Sequence, residues 1–339
     1  MSALVIDDAA RELRSRAASC ERIWVTVHES PDGDSIGAAL ALRGVLQRLG
    51  KDVVAIRQPP FPGQYERLPG AGAMVEVASL AGLPAPDMVV ACDVGSFDRI
   101  GAVLDFVEPE THVVNIDHHP GNGGPDRPCR LLNLVDPSLA STTMLLYLLL
   151  REAWPGLVGP EEATCLYVGL ITDTGCFRHS NTDAGTLRVA SELAALGADS
   201  GRLPEDYMYR RRPEAVRLLA EVLSTLEFHA GGRLATIVLS EAMLQRTGAR
   251  QDETEGFVNY ATSIEGVHMA ALFRQSGEQV TRVSLRSTGF VDVARLAAAF
   301  GGGGHRNAAG CTLGADLETA RRLLVEAALA HLASAPGEA

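Results

Sequence analysis

One stretch of the sequence, residues 113 to 120, joins an apolar run to an acid and two imidazoles. Residues 113 to 116 predict a buried strand of a parallel sheet, and the proline- and glycine-rich residues 120 to 125 cannot continue it. Asp117, His118 and His119 are therefore expected where a strand gives way to a loop. In open α/β folds that edge, beyond the carboxyl ends of the strands, is where ligands bind.

Three other apolar segments also end in acidic or imidazole side chains. Two of them predict strands, whereas residues 166 to 172 fit a helix as well as a strand. The polar residues that follow these segments are His28, Asp32, Asp34, Asp93 and Asp173. Carboxylates that converge repel one another unless they are protonated or bridged by cations, and a divalent metal is the usual bridge. The pattern indicates that these segments end at one shared edge of the fold, where their side chains bind metal.

These segments resemble the motifs of the DHH phosphoesterase family. HESPDGDSIG, ACDVG, NIDHHPGN and GLITDTGCFRHSNT stand in the order and approximate spacing of four motifs of that family. Further on, SLRSTGFVDVARLAAAFGGGGHRNAAG resembles the signature of the DHH-associated C-terminal domain. The combination is most similar to a subgroup of bifunctional oligoribonucleases (nanoRNases) and 3'-phosphoadenosine 5'-phosphate (pAp) phosphatases.

The alternation of strands and helices predicts an α/β fold with a parallel sheet flanked by helices in the first half of the chain. We expect this catalytic domain at residues 1–196 and a linker with a helix at 197–229. A smaller mixed-sheet α/β domain should occupy residues 230–339. Asp34 and Ser35 are expected to cap a helix over residues 36 to 49. By the resemblance, the site lies in the cleft between the two domains.

Composition limits the partners of this protein. The net charge of −12 argues against a broad basic face that holds long duplexes. A small anionic substrate stays compatible, because bound cations reverse the local sign of the field. Lys51 is the only lysine, so phosphate-binding side chains should be arginines. With no apolar run of roughly 18 to 20 residues and no secretion-signal pattern, we expect a cytoplasmic protein that does not contact membranes.

The resemblance implies two metal ions. One takes the ligands His28, Asp32 and Asp93, and the other takes Asp34, Asp93, His118 and Asp173. Asp93 is then the bridging carboxylate. Mixed nitrogen and oxygen ligands suit Mn²⁺, and the ligand set leaves Mg²⁺, Co²⁺ and Zn²⁺ open.

The other site residues follow from the same resemblance. Asp117 orients a ligand histidine and His119 contacts the phosphate, so the catalytic residues are Asp93, Asp117, His118 and His119. No serine, cysteine or threonine has to act as nucleophile, because a metal-bridging hydroxide attacks phosphorus directly. The expected substrate-binding residues, besides His119, are Arg286, Gly302, Gly303, Gly304, His305, Arg178 and Asn122.

The implied activity is hydrolysis of oligoribonucleotides of about two to five residues to mononucleotides, and of pAp to AMP and phosphate. The partners are then short single-stranded RNA or DNA and nucleotide bisphosphates. An alternative is a phosphodiesterase of cyclic or linear dinucleotides such as cyclic di-AMP or pApA, and a more distant one is an inactive nucleotide sensor. A third is that the carboxylates hold only structural metal. The sequence leaves cleavage polarity, RNA or DNA preference and oligomeric state open, a homodimer among the options.

Overall fold

The structure is a computed structural model that describes residues 4–120, 124–288 and 291–334. The chain forms two compact units, Met1–Arg210 and Arg211–Ala339. The domain boundaries expected at residues 196 and 230 stay predictions. Among the described helices, none combines the length and the apolarity that a membrane span needs.

The first unit is built on a parallel six-stranded sheet in the order β3-β2-β1-β4-β5-β6. Its strands are β1 (Arg22–Thr26), β2 (Asp52–Arg57), β3 (Val75–Glu76), β4 (Met88–Cys92), β5 (His112–Asp117) and β6 (Arg130–Val135). The strand order reverses at β1, because the chain runs outward to β2 and β3 and then returns to the other side at β4. A ligand is expected at this switch point, beyond the carboxyl ends of β1 and β4.

The helices of the first unit cover one face of this sheet. They are α1 (Ile6–Ala18), α2 (Gly33–Arg48), α3 (Thr142–Ala153), α4 (Pro160–Asp173), α5 (Ala184–Ala195) and the short α6 (Arg202–Pro204). Side chains alternate along the strands, so Ile23 and Val25 join the core with the α-helices while Trp24 faces the other side. There the covering elements are two 3₁₀ segments, Val77–Gly82 and Phe97–Phe106.

The second unit contains a mixed six-stranded sheet in the order β11-β12-β10-β9-β8-β7, in which only β8 and β9 run parallel. Its strands are β7 (Glu227–His229), β8 (Leu234–Leu239), β9 (Met269–Gln275), β10 (Thr281–Ser287), β11 (Gly303–His305) and β12 (Ala308–Leu313). The helices are α7 (Pro213–Leu223), α8 (Glu241–Thr247), α9 (Phe257–Thr262), α10 (Val293–Ala298) and α11 (Leu317–Ser334). The two sheets confirm the predicted fold class, a parallel α/β sheet with a second, mixed-sheet α/β unit.

The local predictions differ from the structure in the helix cap after β1 and in several strands. The helix after β1 begins at Gly33 and is capped by Asp32, so the expected cap at Asp34 and Ser35 is wrong by two residues. The ambiguous segment before Asp173 is helical, as part of α4. Five of the described strands were not predicted. Strands β3 and β7 are only two and three residues long, β6 follows a proline-rich loop, and β11 and β12 consist largely of glycine, alanine and short polar residues.

Candidate metal centre

The loop between β1 and α2 delivers the first three polar groups. His28 is buried in this loop, and the Asp32 carboxylate caps α2 by accepting hydrogen bonds from the amides of Asp34 (3.1 Å) and Ser35 (3.0 Å). Asp34 is then in the first turn of α2 and fully buried. Capping satisfies amides that the helix leaves unpaired and also fixes the Asp32 carboxylate. His28, Asp32 and Asp34 therefore lie together at the carboxyl end of β1.

Asp93 follows directly after β4 and is buried. Its φ is +60°, in the left-handed region that residues other than glycine seldom adopt. The backbone of Asp93 is still hydrogen-bonded to the sheet, since its amide donates to the carbonyl of Ile116 on β5 over 2.9 Å. Strained backbone of this kind concentrates at functional sites, where the surrounding structure maintains it.

The two histidines after β5 each have an oxygen close to Nδ1. His118 Nδ1 lies 3.3 Å from the carbonyl oxygen of Leu139, and its Nε2 lies 3.0 Å from Asp173 Oδ2. His119 Nδ1 lies 2.7 Å from Asp117 Oδ1, which also accepts the His119 amide over 3.0 Å. A carbonyl or carboxylate on one nitrogen fixes the ring orientation of a metal-binding histidine. Asp117 thus contacts His119, and a backbone carbonyl faces His118.

Asp173 reaches the site because two helices cross at close range. It is the last residue of α4, which packs against α2. A Cβ atom on Gly37 of α2 would lie 2.3 Å from the carbonyl oxygen of Cys165, and one on Gly169 of α4 would lie 2.9 Å from Asp34 Oδ1. These two glycines permit the close approach that brings Asp34 and Asp173 together.

The predicted metal-binding residues converge in the structure. Together with His119, which was predicted to contact the substrate, they form three groups, within each of which the ligand atoms lie no more than 4.8 Å apart. The groups are His28, Asp32 and Asp93; Asp34, His118 and Asp173; and Asp93, His118 and His119. Asp93 belongs to two of them, with Oδ2 3.8 Å from His28 Nε2 and Oδ1 3.6 Å from His118 Nε2. This carboxylate therefore lies between the two sets of ligands.

Without a counter-ion, the buried acids of the site are unfavourable in their charged form. Burial, together with the charge of Asp173, raises the pKa of Asp34 to about 8. Burial and the neighbouring acids Asp34, Asp32 and Asp173 raise the pKa of Asp93 well above its ordinary value. Burial alone would lower the pKa of His118, but its hydrogen bond to Asp173 and the charges of the surrounding acids raise it to about 11. Bound divalent cations would replace the protons that these groups otherwise hold.

The donor set fits divalent cations. It combines carboxylate oxygens with imidazole nitrogens, a mixture suited to Mn²⁺ and Zn²⁺. Burial lowers the pKa of His28, which favours the neutral form that can bind a metal. His28, Asp32 and Asp93 could hold one ion, and Asp34, Asp93, His118 and Asp173 could hold a second.

The sequence did not identify three residues that contact these ligands. The Thr142 hydroxyl donates to Asp93 Oδ1 (2.9 Å), and the amides of Thr142 and Thr143 donate to Asp34 (2.6 and 2.9 Å). Arg99 Nη2 lies 2.8 Å from His28 Nδ1. The threonines start α3, and an N-terminal turn with hydroxyls is a recognisable anion-binding signal. Arg99 has no such signal, because only the fold brings it to His28.

The predicted substrate-binding residues of the first unit are less concentrated. His119 lies in the site, with Nδ1 3.4 Å from Asp93 Oδ1. Arg178 is exposed in the turn after α4, where its backbone amide donates to Thr174. Asn122 lies outside the described residues.

In the second unit, the glycine-rich run forms part of a hairpin. Gly303 and His305 belong to β11, and Arg286 is half-buried on β10. A Cβ on Gly302 would lie 2.1 Å from the carbonyl oxygen of Gly310, and Gly304 has φ of +139°. Packing of the hairpin therefore requires these two glycines whether or not they contact a ligand.

Comparison with known families supports two domains. Residues 22–170 match the DHH family, N-terminal domain, and residues 232–332 match the DHHA1 domain. The chain is 35% identical over 328 residues to the bifunctional oligoribonuclease and PAP phosphatase NrnA of Thermus thermophilus, covering 92% of this chain and 91% of that protein.

Two further relatives bear on fold and substrate. The crystal structure of an exopolyphosphatase-related protein from Bacteroides fragilis superimposes with a TM-score of 0.87 at 27% identity, covering 96% of this chain and 97% of that one. The cyclic-di-AMP phosphodiesterase PdeA of Listeria monocytogenes is 25% identical over 89% of this chain, which spans 46% of that larger protein.

Proposed function

The chain belongs to the DHH family of phosphoesterases, and from this premise we propose that it hydrolyses short oligoribonucleotides and pAp with two divalent cations. Oligoribonucleotides of about two to five residues would yield mononucleotides, and pAp would yield AMP and phosphate. The observation that carries the proposal is the convergence of seven acidic and imidazole side chains at the ends of β1, β4, β5 and α4. A relative that is 35% identical and named for both activities supports the choice of substrates.

Two cations would activate a water and neutralise charge on the phosphoryl group. We assign Mn²⁺ to the site because its ligands mix imidazole nitrogen with carboxylate oxygen. Within the protein, Asp93 contributes to both ligand groups, and Thr142 and the start of α3 hold Asp93 and Asp34 in place. Asp117 fixes the ring of His119, which we assign to donating a hydrogen bond to a phosphoryl oxygen.

We also assign Arg286, Gly302, Gly303, Gly304 and His305 of the second unit to binding the part of the substrate farther from the cleaved bond. A guanidinium can grip a phosphate through two parallel hydrogen bonds. Short substrates suit an acidic chain of net charge −12, since few phosphates have to be held. Arg178 and Asn122 are further candidates for phosphate contacts.

A second candidate is hydrolysis of cyclic di-AMP or its linear product pApA. The similarity to PdeA favours it, although this chain spans 46% of that protein. An inactive nucleotide sensor is disfavoured, because a protein that only binds nucleotides would not need buried carboxylates that raise one another's pKa.

The test is a substrate panel with purified full-length protein. Labelled dinucleotide, pentanucleotide, pAp and cyclic di-AMP are each incubated with Mn²⁺, with Mg²⁺ and with chelator. We expect mononucleotide from the linear oligomers and AMP from pAp, with cation and without chelator. Asp93→Asn should lower turnover by more than about 100-fold. Loss of a residue that only hydrogen-bonds to a metal ligand typically lowers activity about 10- to 100-fold, and loss of a direct ligand should cost more.

The matched control is Asp105→Asn, an exposed carboxylate outside the site. It should keep wild-type rates. Turnover of cyclic di-AMP that exceeds turnover of all linear substrates would replace the proposal with the second candidate. Binding without any turnover would favour the sensor.

A further inference from the structure

Three donor side chains form a row across the sheet of the second unit. In the strand register Arg282 of β10 lies opposite Arg274 of β9 on one side and opposite Thr312 of β12 on the other. Residues directly opposite in an antiparallel pair point to the same face. Two guanidinium groups and a hydroxyl, all hydrogen-bond donors, are therefore adjacent on one face of the sheet.

Two of the three side chains in the row, Arg282 and Thr312, are exposed, and Arg274 is partly buried. Ala270 and Leu272 of β9 pack in a core with Phe257 and Val258 of α9. Farther along the sheet, Ser284 is half-buried. A ligand can reach the row from solvent, while α9 borders it on the side of β9.

Among the described residues, no carboxylate forms an ion pair with Arg274 or Arg282. Arg274 Nε is buried and has no hydrogen-bond partner within the part of the chain that the structure describes. Like charges directly opposite on neighbouring strands destabilise a sheet. Burial first, and then the charge of Arg282, lower the pKa of Arg274, and the acid Glu255 opposes this only in part. Glu255 also acts on Arg286, so one carboxylate is shared between two arginines.

We propose that Arg274, Arg282 and Thr312 bind a backbone phosphate of an oligonucleotide, at a position distinct from Arg286. The inference rests on the proposed function and extends it, because it gives the enzyme a contact available only to longer substrates. A phosphate would accept from both guanidinium groups and from the hydroxyl, and its charge would relieve their mutual repulsion. In a chain with net charge −12, such a local concentration of arginine is suited to an anion.

The register also sets the substrate length at which this contact begins. Arg282 and Arg286 lie on the same strand and four residues apart, which corresponds to about 13 Å at the rise of an antiparallel strand. A stacked single strand advances about 3.4 Å per nucleotide and would need about four nucleotides to cover that distance, fewer when extended. A pentanucleotide can therefore contact both positions, whereas pAp cannot.

The test compares Arg282→Gln with Arg322→Gln, an exposed arginine on α11 that serves as the control. Two quantities are measured on full-length protein. One is the ratio of kcat/KM for pentanucleotide to kcat/KM for dinucleotide with Mn²⁺. The other is the salt dependence of pentanucleotide affinity in chelator, where turnover is absent. Arg274→Lys is the second variant, because it keeps the charge of a partly buried residue and removes only the bidentate geometry.

For Arg282→Gln we expect the kcat/KM ratio to fall about tenfold, the loss of one charge-assisted contact. The slope of log affinity against log salt should decrease by about 0.7, the value for one phosphate contact on a single strand. Arg274→Lys should lower the same ratio, and Arg322→Gln should change neither quantity.

If the kcat/KM ratio and the salt slope are unchanged in both Arg282→Gln and Arg274→Lys, the phosphate site is refuted. The proposed hydrolytic function is not affected by that result. A wild-type protein that does not bind the pentanucleotide would also overturn the phosphate site. If the wild-type protein binds the pentanucleotide but cleaves nothing, and Arg282→Gln still shows the expected decrease in slope, the proposed function is refuted and the phosphate site stands.

Discussion

The hydroxyl of Thr142 donates a hydrogen bond to Asp93 Oδ1 over 2.9 Å, so the first turn of α3 holds the carboxylate at the end of β4. The same turn directs the Thr142 amide at Asp34 Oδ2 over 2.6 Å. Partially positive helix N-terminal amides favour the charged form of a carboxylate. One turn of helix thus positions acids from two different ligand groups.

Replacing Thr142 with valine should weaken metal binding. Valine keeps the shape of threonine and removes the hydroxyl that orients Asp93, so the Kd for Mn²⁺ should rise about 10- to 100-fold. Thr142→Ser retains the hydroxyl and should stay close to wild type. Titration calorimetry with Mn²⁺ measures both. Equal affinities for the valine and serine variants would show that the hydroxyl does not matter.

Asp93→Asn should stabilise the metal-free protein although it lowers turnover by more than about 100-fold. Burial and three neighbouring acids raise the pKa of Asp93, so its ionised form is costly when no cation is bound. The neutral amide removes that cost. At pH 8 in chelator the Tm of Asp93→Asn should exceed that of wild type, and Mn²⁺ should raise the Tm of wild type more than that of the variant, which keeps the ligands Asp34, His118 and Asp173. If the variant unfolds instead, the carboxylate has a structural role.

The stabilisation that a divalent cation provides should grow with pH. Burial raises the pKa of Asp34 from 3.8 to about 8, so the metal-free folded protein holds a proton that the unfolded chain releases near pH 4. Stability of the metal-free form is therefore lost as pH rises from about 4 to about 8. A cation displaces this proton and removes the loss.

Thermal unfolding with Mn²⁺ and with chelator between pH 5.5 and 8.5 measures this effect. The difference in Tm should widen toward pH 8.5. Calorimetry in buffers of different ionisation enthalpy should show protons released on binding. A difference in Tm that is constant over the range would contradict the electrostatic account.

A side chain at Gly37 should destabilise the protein, because α2 and α4 cross closely at this residue. A Cβ there would lie 2.3 Å from the carbonyl oxygen of Cys165, which is backbone and cannot rotate away. Gly37→Ala should cost about 1 to 3 kcal/mol of unfolding free energy, the range of an overpacked core. It should also displace Asp34 relative to Asp173 and weaken metal binding.

The control for this prediction is Gly82→Ala, where a Cβ would meet no atom within 4 Å. Its unfolding free energy should stay within about 0.5 kcal/mol of wild type. Urea unfolding in chelator compares the two variants. Equal stability would mean that the helices can separate without loss.

Much of the fold was predictable because its signals are local. Apolar runs predicted β1, β4 and β5, and the residues after them gave His28, Asp93, His118 and His119 as a group. The cap of α2 was placed two residues late, since both Asp32 and Asp34 are good capping residues and only the backbone conformation at residue 32 distinguishes them. Strands β11 and β12 lack the side chains that make a strand recognisable, because close packing in the hairpin requires small residues.

The sequence by itself determined which residue types stand at the ends of the strands, and the resemblance of their motifs determined the family. The resemblance implied that Asp34 and Asp173 share a metal, whereas only the tertiary structure shows how they meet, at two glycines where helices cross. The tertiary structure also decided that Thr142 and Arg99 contact the ligand side chains and that Arg274 and Arg282 lie opposite each other. The physical reason is the same in each case: hydrophobic patterning specifies elements over short distances along the chain, whereas such contacts arise from the packing and register of elements far apart in it.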